Sequence, residues 1–563
     1  MLFRSLAARQ PVLSTDHRII FRDIGSLLLM QAVMMCVSAI VALAFREFYP
    51  AAAFVVAALL TGSTGTVART RYSDAPAPKM KHGMVIAALG WFSTGLFGSL
   101  PFFLSAQITP PAVMATYVPA SATWDAVTVA GVTSRSSLVY FGNPVHALFE
   151  SMSGWTGSGL TMAVHEPSLP RALQWWRSFI QWVGGVGVIV LTVSILARPG
   201  SGSYALYRSE TRERKIHPSI VSTVRTVWKI FVTYTLLSIL VLFVAISLSD
   251  YGSSLPAWRA GWQAVNHAMT GLSTGGFSIT DNSIATYDSP LIESVLLPMM
   301  TLGAIAFPVH YAFLRGRDTE KLFGDLQTHW LLTLLGVGVV ALSLQNALTV
   351  SAVPEAFQTQ RLLPASAPVE PRVTDAVRDS TFQWVSALTC TGFQSAPIGD
   401  WADGGKLLVS SAMVVGGAAG STVGGIKIIR AYTVARGIGW QFGRVFLPAN
   451  AVVTATIGDR KLGRSAMVRE FNEAAIVSLL WLIMLAVSSL ILVNAVGANY
   501  SYADALFEVA SAQGNVGLST GITRPAMPTA TEVMFLFNMW IGRLEIIPVL
   551  VFLRSAIYGL NPR

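Results

Sequence analysis

Charge is what this chain has least of. Only 12% of its 563 residues are Asp, Glu, Lys or Arg, about half the ~25% expected of a soluble globular chain. Cysteine is scarcer still. Cys36 and Cys390 stand far apart in apolar surroundings, which excludes a disulfide framework and a cysteine-based zinc site. There is no Walker A loop and no dinucleotide fingerprint. Nor is there an ordered nucleophile–base set or a metal-ligand spacing, so an enzyme reading has no support. What fills the chain is apolar: 53% of residues are hydrophobic. They come in repeated runs of about 20, the length that crosses a ~30 Å hydrocarbon core. The chain reads as an all-α polytopic membrane protein, in contact with the lipid bilayer along its whole length.

Spans are expected near 22–45, 51–68, 84–105, 172–197, 225–249, 290–314, 328–350, 405–436, 471–497 and 530–556. The first follows a polar, basic segment without a small-residue cleavage site, and is expected to be a retained span rather than a leader. The formal net charge of +10 would suit nucleic acid, but its placement argues for topology instead. Arg4, Arg9, Arg18 and Arg22, then Arg69 to Lys81, Arg198 to Lys229, Arg315 to Lys321 and Arg436 to Arg469 fall on alternate connections. The positive-inside rule then puts both termini in the cytoplasm. Two connections are long: 198–224, expected to be cytoplasmic and partly helical, and 352–377, rich in Pro and Ala and expected outside.

One pattern recurs four times without a gap. SMSGWTGSGLT (Ser151 to Thr161), AMTGLSTGGFS (Ala268 to Ser278), WVSALTCTGFQ (Trp384 to Gln394) and VASAQGNVGLS (Val509 to Ser519) align so that Gly159, Gly276, Gly392 and Gly517 share one column. The intervals are 117, 116 and 125 residues, an internal repeat. An amphipathic segment of about ten to twelve residues precedes each, ~15–18 Å as a helix. A half-length helix followed by a Gly/Ser/Thr loop between full spans reads as a re-entrant pore loop, since irregular backbone at membrane depth must line a cavity or be buried in protein. Rings of backbone carbonyls are how a potassium filter replaces an ion's water. The candidate filter residues are Gly157, Ser158 and Gly159; Thr274, Gly275 and Gly276; Cys390, Thr391 and Gly392; and Asn515, Val516 and Gly517. Potassium at the loop carbonyls is the expected substrate, and no cofactor is expected in this chain.

Two further features lie inside spans. Five glycines crowd the segment from Gly416 to Gly425, too many for a straight helix at about 1 kcal/mol each relative to alanine. A flexible plug or hinge is expected there, over Gly416, Gly417, Gly420, Ser421, Thr422, Gly424, Gly425 and Lys427. Lys427 and Arg430 mark its end. Arg543 falls within an apolar run, and an intramembrane charge is a functional hypothesis by default. It is expected either to pair with Glu545 or to lie against carbonyls of the Gly-rich loop. His146, Asn266 and His267 are expected to be structural. Glu150 and Glu508 hold matching places, either anchoring their helices or adding negative field at the outer mouth.

On these residues the chain resembles the Trk/Ktr/HKT superfamily of cation transporters, in particular its TrkH-type branch. QWVGGVGVIVL (Gln181 to Leu191), GGAAGSTVGGIKIIR (Gly416 to Arg430) and WIGRLEIIP (Trp540 to Pro548) are similar to three further family segments. The resemblance implies two N-terminal helices within 1–82 and four span–pore helix–filter loop–span repeats over 83–200, 201–316, 317–440 and 441–563. These would surround a central pore in pseudo-fourfold arrangement. It implies potassium uptake across the bacterial cytoplasmic (inner) membrane, with 416–427 as an intramembrane gating loop and Arg543 facing the pore. It also implies a homodimer and a separate cytoplasmic nucleotide-binding regulatory subunit. A proton- or sodium-coupled symporter and a non-conducting potassium sensor remain open as alternatives.

Overall fold

The computed structural model describes residues 14–196, 220–316, 322–357, 373–446, 448, 454–458 and 460–560. Most of the 198–224 connection and of the 352–377 connection lies outside the described residues. The architecture is helical, with two short hairpins (Val127–Val129 with Val132–Ser134, and Ala455–Ile457 with Arg460–Leu462). Among the described residues, six helices are long and apolar enough to cross a membrane, or up to eight if each of two bent pairs is one span.

Helices α1 (Thr15–Ala44) and α2 (Phe48–Arg71) form an antiparallel pair. Apolar residues occupy both faces of α1: Met35 and Ala42 are buried, while Val33 and Ile40 are about two-thirds exposed. A helix apolar all round is suited to lipid on its open side. The pair crosses closely at two glycines. A Cβ on Gly25 would lie 2.7 Å from the Gly65 carbonyl oxygen, and one on Gly65 2.9 Å from that of Gly25, the small-residue contact that lets membrane helices approach.

Helices α3 (Met80–Gly98) and α4 (Leu100–Ile108) lead into the first of four similar units. Each unit holds a short helix ending at a glycine loop: α5 (Pro144–Thr156), α8 (Ala257–Leu272), α12 (Val373–Leu388) and α16 (Tyr502–Gly514). The local sequence sets their ends. Asn143 caps α5, its side chain accepting from Val145 N–H, and a Ser501–Asp504 capping box opens α16. They stop where a residue turns left-handed, at Gly157 and Asn515. Their lengths of 13 to 16 residues exceed the expected ten to twelve, because the helix runs on through the start of each motif.

A helix precedes and follows each short one: α3 and α6 (Arg171–Leu196); α7 (Ile220–Leu248) and α9 (Pro290–Ala304); α11 (Leu326–Thr349) and α13 (Asp403–Val414); α15 (Arg464–Ala495) and α17 (Thr529–Arg543). Each short helix packs between its own two neighbours. It also packs against the following helix of the preceding unit: α8 on α6, α12 on α9, α16 on α13, and α5 on α17. The last of these contacts closes the cycle.

Two expected spans are not straight. The segment expected at 290–314 bends by 104° between α9 and α10 (Phe307–Gly316), and that at 530–556 by 113° between α17 and α18 (Ile547–Tyr558). Pro308 and Pro548 sit in the first turn of each second arm, where proline is tolerated because its missing N–H would have no helical partner there anyway. Arg543, expected mid-span, is therefore the last residue of α17, at the corner.

Candidate functional site

The four loop glycines meet. Each has a positive φ: +75° at Gly159, +76° at Gly276, +81° at Gly392 and +109° at Gly517. So does the residue two places earlier, Gly157, Thr274, Cys390 and Asn515. Alternating handedness of this kind turns successive peptide groups toward a common side. A Cβ on Gly159 would lie 2.4 Å from the carbonyl oxygen of Gly275; on Gly276, 2.1 Å from that of Thr391; on Gly392, 1.9 Å from that of Val516; and on Gly517, 2.6 Å from that of Ser158. Every loop thus abuts the next, and the fourth abuts the first. The result is a closed ring of backbone at which four helix C-terminal ends converge, each carrying partial negative charge.

Three layers of polar contact hold the ring. Innermost, the N–H before each ring glycine (Ser158, Gly275, Thr391, Val516) donates to the carbonyl of Ser153, Thr270, Ser386 or Ser511 at 2.8–2.9 Å. The Thr270 and Ser386 hydroxyls donate to the carbonyls of Phe277 and Phe393, while that of Ser511 accepts from Gly517 N–H. These four hydroxyl residues were not among the expected site residues, yet they fill one column of the aligned motifs.

The second layer lies nine residues before each glycine: Glu150, His267, Gln383 and Glu508. Glu150 accepts from Thr161 Oγ1 and Met162 N–H, and Glu508 from Ser519, Thr523 and the N–H groups of Thr520 and Ile522. His267 bonds Ser278 and Ile279 N–H, and Gln383 donates to Ser395. All four tie down the strand leaving the loop, so Glu150 and Glu508 are anchors. Arg177 extends this layer across units: Nε donates to Glu150 at 2.6 Å and Nη1 to the Ser278 carbonyl at 2.6 Å, both side chains being buried. Arg177→Ala is expected to destabilise the protein by about 3–5 kcal/mol, since Glu150 stays buried without its cation. A thermal melt in detergent checks this, and Arg177→Lys should lose less.

The third layer clamps each unit to the next. Trp262 donates to Gln174 at 3.0 Å, Arg378 to Glu293 at 2.7 Å and Lys406 to Asp504 at 2.7 Å, and His146 meets Glu532 at 2.8 Å. His146 and His267 therefore have structural partners, and Asn266 bonds the Trp262 carbonyl one turn back.

Beyond the ring lies the Gly-rich segment. Helix α13 ends at Val414, and helix resumes only at α14 (Ile428–Val445). Between them the chain doubles on itself, with Gly416 N–H donating to the Ile426 carbonyl and Ile426 N–H to that of Val414. It docks on the open end of α9: Ala418 N–H donates to the Ala304 carbonyl, and Thr422 to Gly303 through N–H and hydroxyl. Gly420 (φ +80°) and Gly425 (φ +68°) supply left-handed turns. Gly417, Ser421 and Gly424 pack inside; a Cβ on Gly424 would lie 2.3 Å from the Gly514 carbonyl oxygen. Thr422 also meets Thr274 of the second loop, hydroxyl to hydroxyl at 2.8 Å. Lys427 is buried with its ammonium on the Val423 carbonyl.

Arg543 reaches this segment. Its Nη1 donates to the Thr422 carbonyl at 2.6 Å, and Nη2 to that of Gly184 at 3.0 Å. Glu545 is bonded instead to Arg430, at 2.9 Å. Of the two expected partners the loop carbonyl is the one found. A Cβ on Gly157 would lie 3.6 Å from Arg543 Nη1, so the guanidinium sits directly behind the ring. Gly184, Gly303 and Gly542 hold one structural place, since a Cβ on each would strike the carbonyl oxygen four residues before a ring glycine (Trp155, Leu272 and Gln513). Arg543 thus stands where two other units have Gly185 and Ala304.

Comparison with known proteins agrees with this architecture. A family profile described as TrkH, cation transport protein, matches residues 82–557. An uncharacterised cation transporter of Methanocaldococcus jannaschii is 31% identical over 473 residues, 84% of this chain and 82% of that one. The Trk system potassium uptake protein TrkH of Halomonas elongata is 28% identical over 551 residues, 96% of this chain and 99% of that one. The crystal structure of the potassium transporter TrkH from Vibrio parahaemolyticus superposes with a TM-score of 0.73 at 24% identity, covering 96% of this chain and 99% of that one. A closed ring of four glycine loops, a Gly-rich break behind it and a profile spanning most of the chain lead to one assignment: the chain belongs to the TrkH family of cation transport proteins.

Proposed function

We propose that this protein takes up potassium across the cytoplasmic membrane through a filter made by the four loops, with both termini in the cytoplasm. The observation that carries the reading is the closed ring, in which each glycine can approach the next loop's carbonyl only because it has no Cβ. Such a ring concentrates carbonyl oxygen around a path too narrow for a fully hydrated ion. The relatives named as potassium uptake proteins support the choice of ion. Potassium sheds water at Gly157–Gly159, Thr274–Gly276, Cys390–Gly392 and Asn515–Gly517, then meets the segment 416–427 and Arg543. That segment is the proposed gate, and the bonds of Thr422 to Gly303, Thr274 and Arg543 are what would fasten it. In this reading the four pore repeats are 83–200, 201–316, 317–440 and 441–563.

Opening requires those bonds to part. A separate cytoplasmic nucleotide-binding subunit, acting on a homodimer of this chain, is the proposed source of the pull. The membrane potential supplies about 2.3 kcal/mol per charge per 100 mV.

The test is flux in liposomes holding the purified chain and defined gradients. Potassium should move down its electrochemical gradient, with a reversal potential indifferent to proton gradients and weakly sensitive to sodium. A reversal potential that tracks the proton or sodium gradient would replace the channel reading with a coupled symporter. Potassium binding without flux would replace it with a sensor.

A further inference from the structure

The four loops differ at the residue just before the ring glycine: Ser158, Gly275, Thr391 and Val516. In the first, third and fourth loops a side chain grows from that place and is wholly buried. Ser158 Oγ accepts from Asn515 Nδ2 at 2.8 Å, and Thr391 Oγ1 meets Thr389 Oγ1 at 2.8 Å. The second loop has no side chain there. Gln181, on α6 of the preceding unit, fills the space instead.

The Gln181 carboxamide straddles Gly276. Its Nε2 donates to the Gly275 carbonyl at 2.6 Å, and its Oε1 accepts from Phe277 N–H at 2.9 Å. These partners fix which end of the amide is which, because a carbonyl can only accept and an N–H can only donate. Gln181 is wholly buried. A Cβ on Gly275 would lie 2.6 Å from its Cδ and Oε1, and Gly275 is not among the positive-φ glycines. Gly275 is therefore glycine because Gln181 occupies its side-chain space, not because of its backbone. Among the described residues no side chain donates to the equivalent carbonyls of Ser158, Thr391 and Val516.

We propose that Gln181 is a selectivity-positioning residue, whose carboxamide pins the second filter loop from the neighbouring repeat. The inference rests on the reading of the loops as a potassium filter. A carbonyl held from behind keeps the ring at one diameter, and its second lone pair stays available to the ion. Once released, the same carbonyl can close on a smaller, more strongly hydrated cation, and discrimination against sodium falls.

The experiment measures potassium and sodium flux into liposomes for the unmodified chain and four variants. Gln181→Met keeps the volume and removes both bonds, and should raise relative sodium permeability roughly five- to tenfold, the worth of about one hydrogen bond. Gly275→Thr should depress flux, because its side chain collides with Gln181. Gln181→Ala combined with Gly275→Thr should bring selectivity back toward that of the unmodified chain, since the loop then supplies its own backing as the third loop does. An unchanged ratio in Gln181→Met, or a double variant no more selective than Gln181→Ala alone, overturns the proposal. Absence of potassium preference in the unmodified chain would instead sink the filter reading beneath it.

Discussion

Gly392→Ser is expected to reduce potassium or rubidium uptake at least thirtyfold and to raise sodium permeation relative to potassium. Two costs add at this position. Gly392 has φ +81°, where any Cβ is penalised by about 1–2 kcal/mol. That Cβ would also lie 1.9 Å from the carbonyl oxygen of Val516 and 2.8 Å from the Cα of Gly517. Both are backbone atoms, so no side chain can swing aside. Overpacking of this kind costs about 1–3 kcal/mol, and the sum of about 2–5 kcal/mol corresponds to a factor of thirty or more. The ring can absorb it only by moving the fourth loop away from the third, which widens the path and lets a partly hydrated sodium ion through. Uptake by a potassium-requiring host at low external potassium reads the first effect, and flux ratios in liposomes read the second. Wild-type selectivity from Gly392→Ser would mean that the ring at Gly392 does not touch the ion.

The ring was open to sequence reasoning because backbone geometry has only one residue type to use. Where a Cβ must be absent, glycine appears in every copy, and four copies make the column visible. The innermost hydroxyls Ser153, Thr270, Ser386 and Ser511 were equally visible in the same alignment. The next layer was only half visible, in the matching places of Glu150 and Glu508. Glu150, His267, Gln383 and Glu508 do one job, tying down the strand that leaves the loop, with a carboxylate, an imidazole and a carboxamide. Any polar side chain of suitable reach serves, so chemistry is not repeated where geometry is. The clamps between units are more varied still: Trp262 with Gln174, Arg378 with Glu293, Lys406 with Asp504, His146 with Glu532.

The bends behind the ring show the opposite case, a signal that was present and was outweighed by hydropathy. Pro308 and Pro548 open the second arms of the bent pairs, whereas Pro298, inside α9, does not break it. The corner at Glu545 and Ile546 carries no such mark. Both residues have a positive φ, +58° and +69°, which for a β-branched residue such as Ile546 is a genuine outlier. Such strain persists only where the surroundings over-determine it. Here they do, through Arg430 on Glu545 and Arg543 on Thr422.

Arg543 is where the largest gain of flux is expected. By Coulomb's law a unit charge acting over a distance on the order of 5 Å contributes about 3 kcal/mol at an effective dielectric of ~20. That exceeds the ~2.3 kcal/mol that 100 mV supplies to one potassium ion. On the proposed reading, a guanidinium fixed behind the ring at such a distance would oppose entry by more than the membrane potential drives it, and uptake would require it to be displaced or offset. Arg543→Gln removes the charge while leaving an amide that can still donate to Thr422, and should raise potassium flux without the regulator by one to two powers of ten. Arg543→Ala should conduct comparably but melt earlier, because the Thr422 and Gly184 carbonyls lose their donors at about 1–3 kcal/mol each. Arg543→Lys keeps a charge and should stay near the unmodified flux. The comparison separates two roles that Arg543→Ala alone would confound. If Arg543→Lys conducts as freely as Arg543→Gln, the charge is not the barrier, and flux depends instead on the paired bonds to Thr422 and Gly184 that the guanidinium makes at once. If neither raises flux from well-folded protein, the Gly-rich segment closes the path by itself, and Arg543 only fastens it.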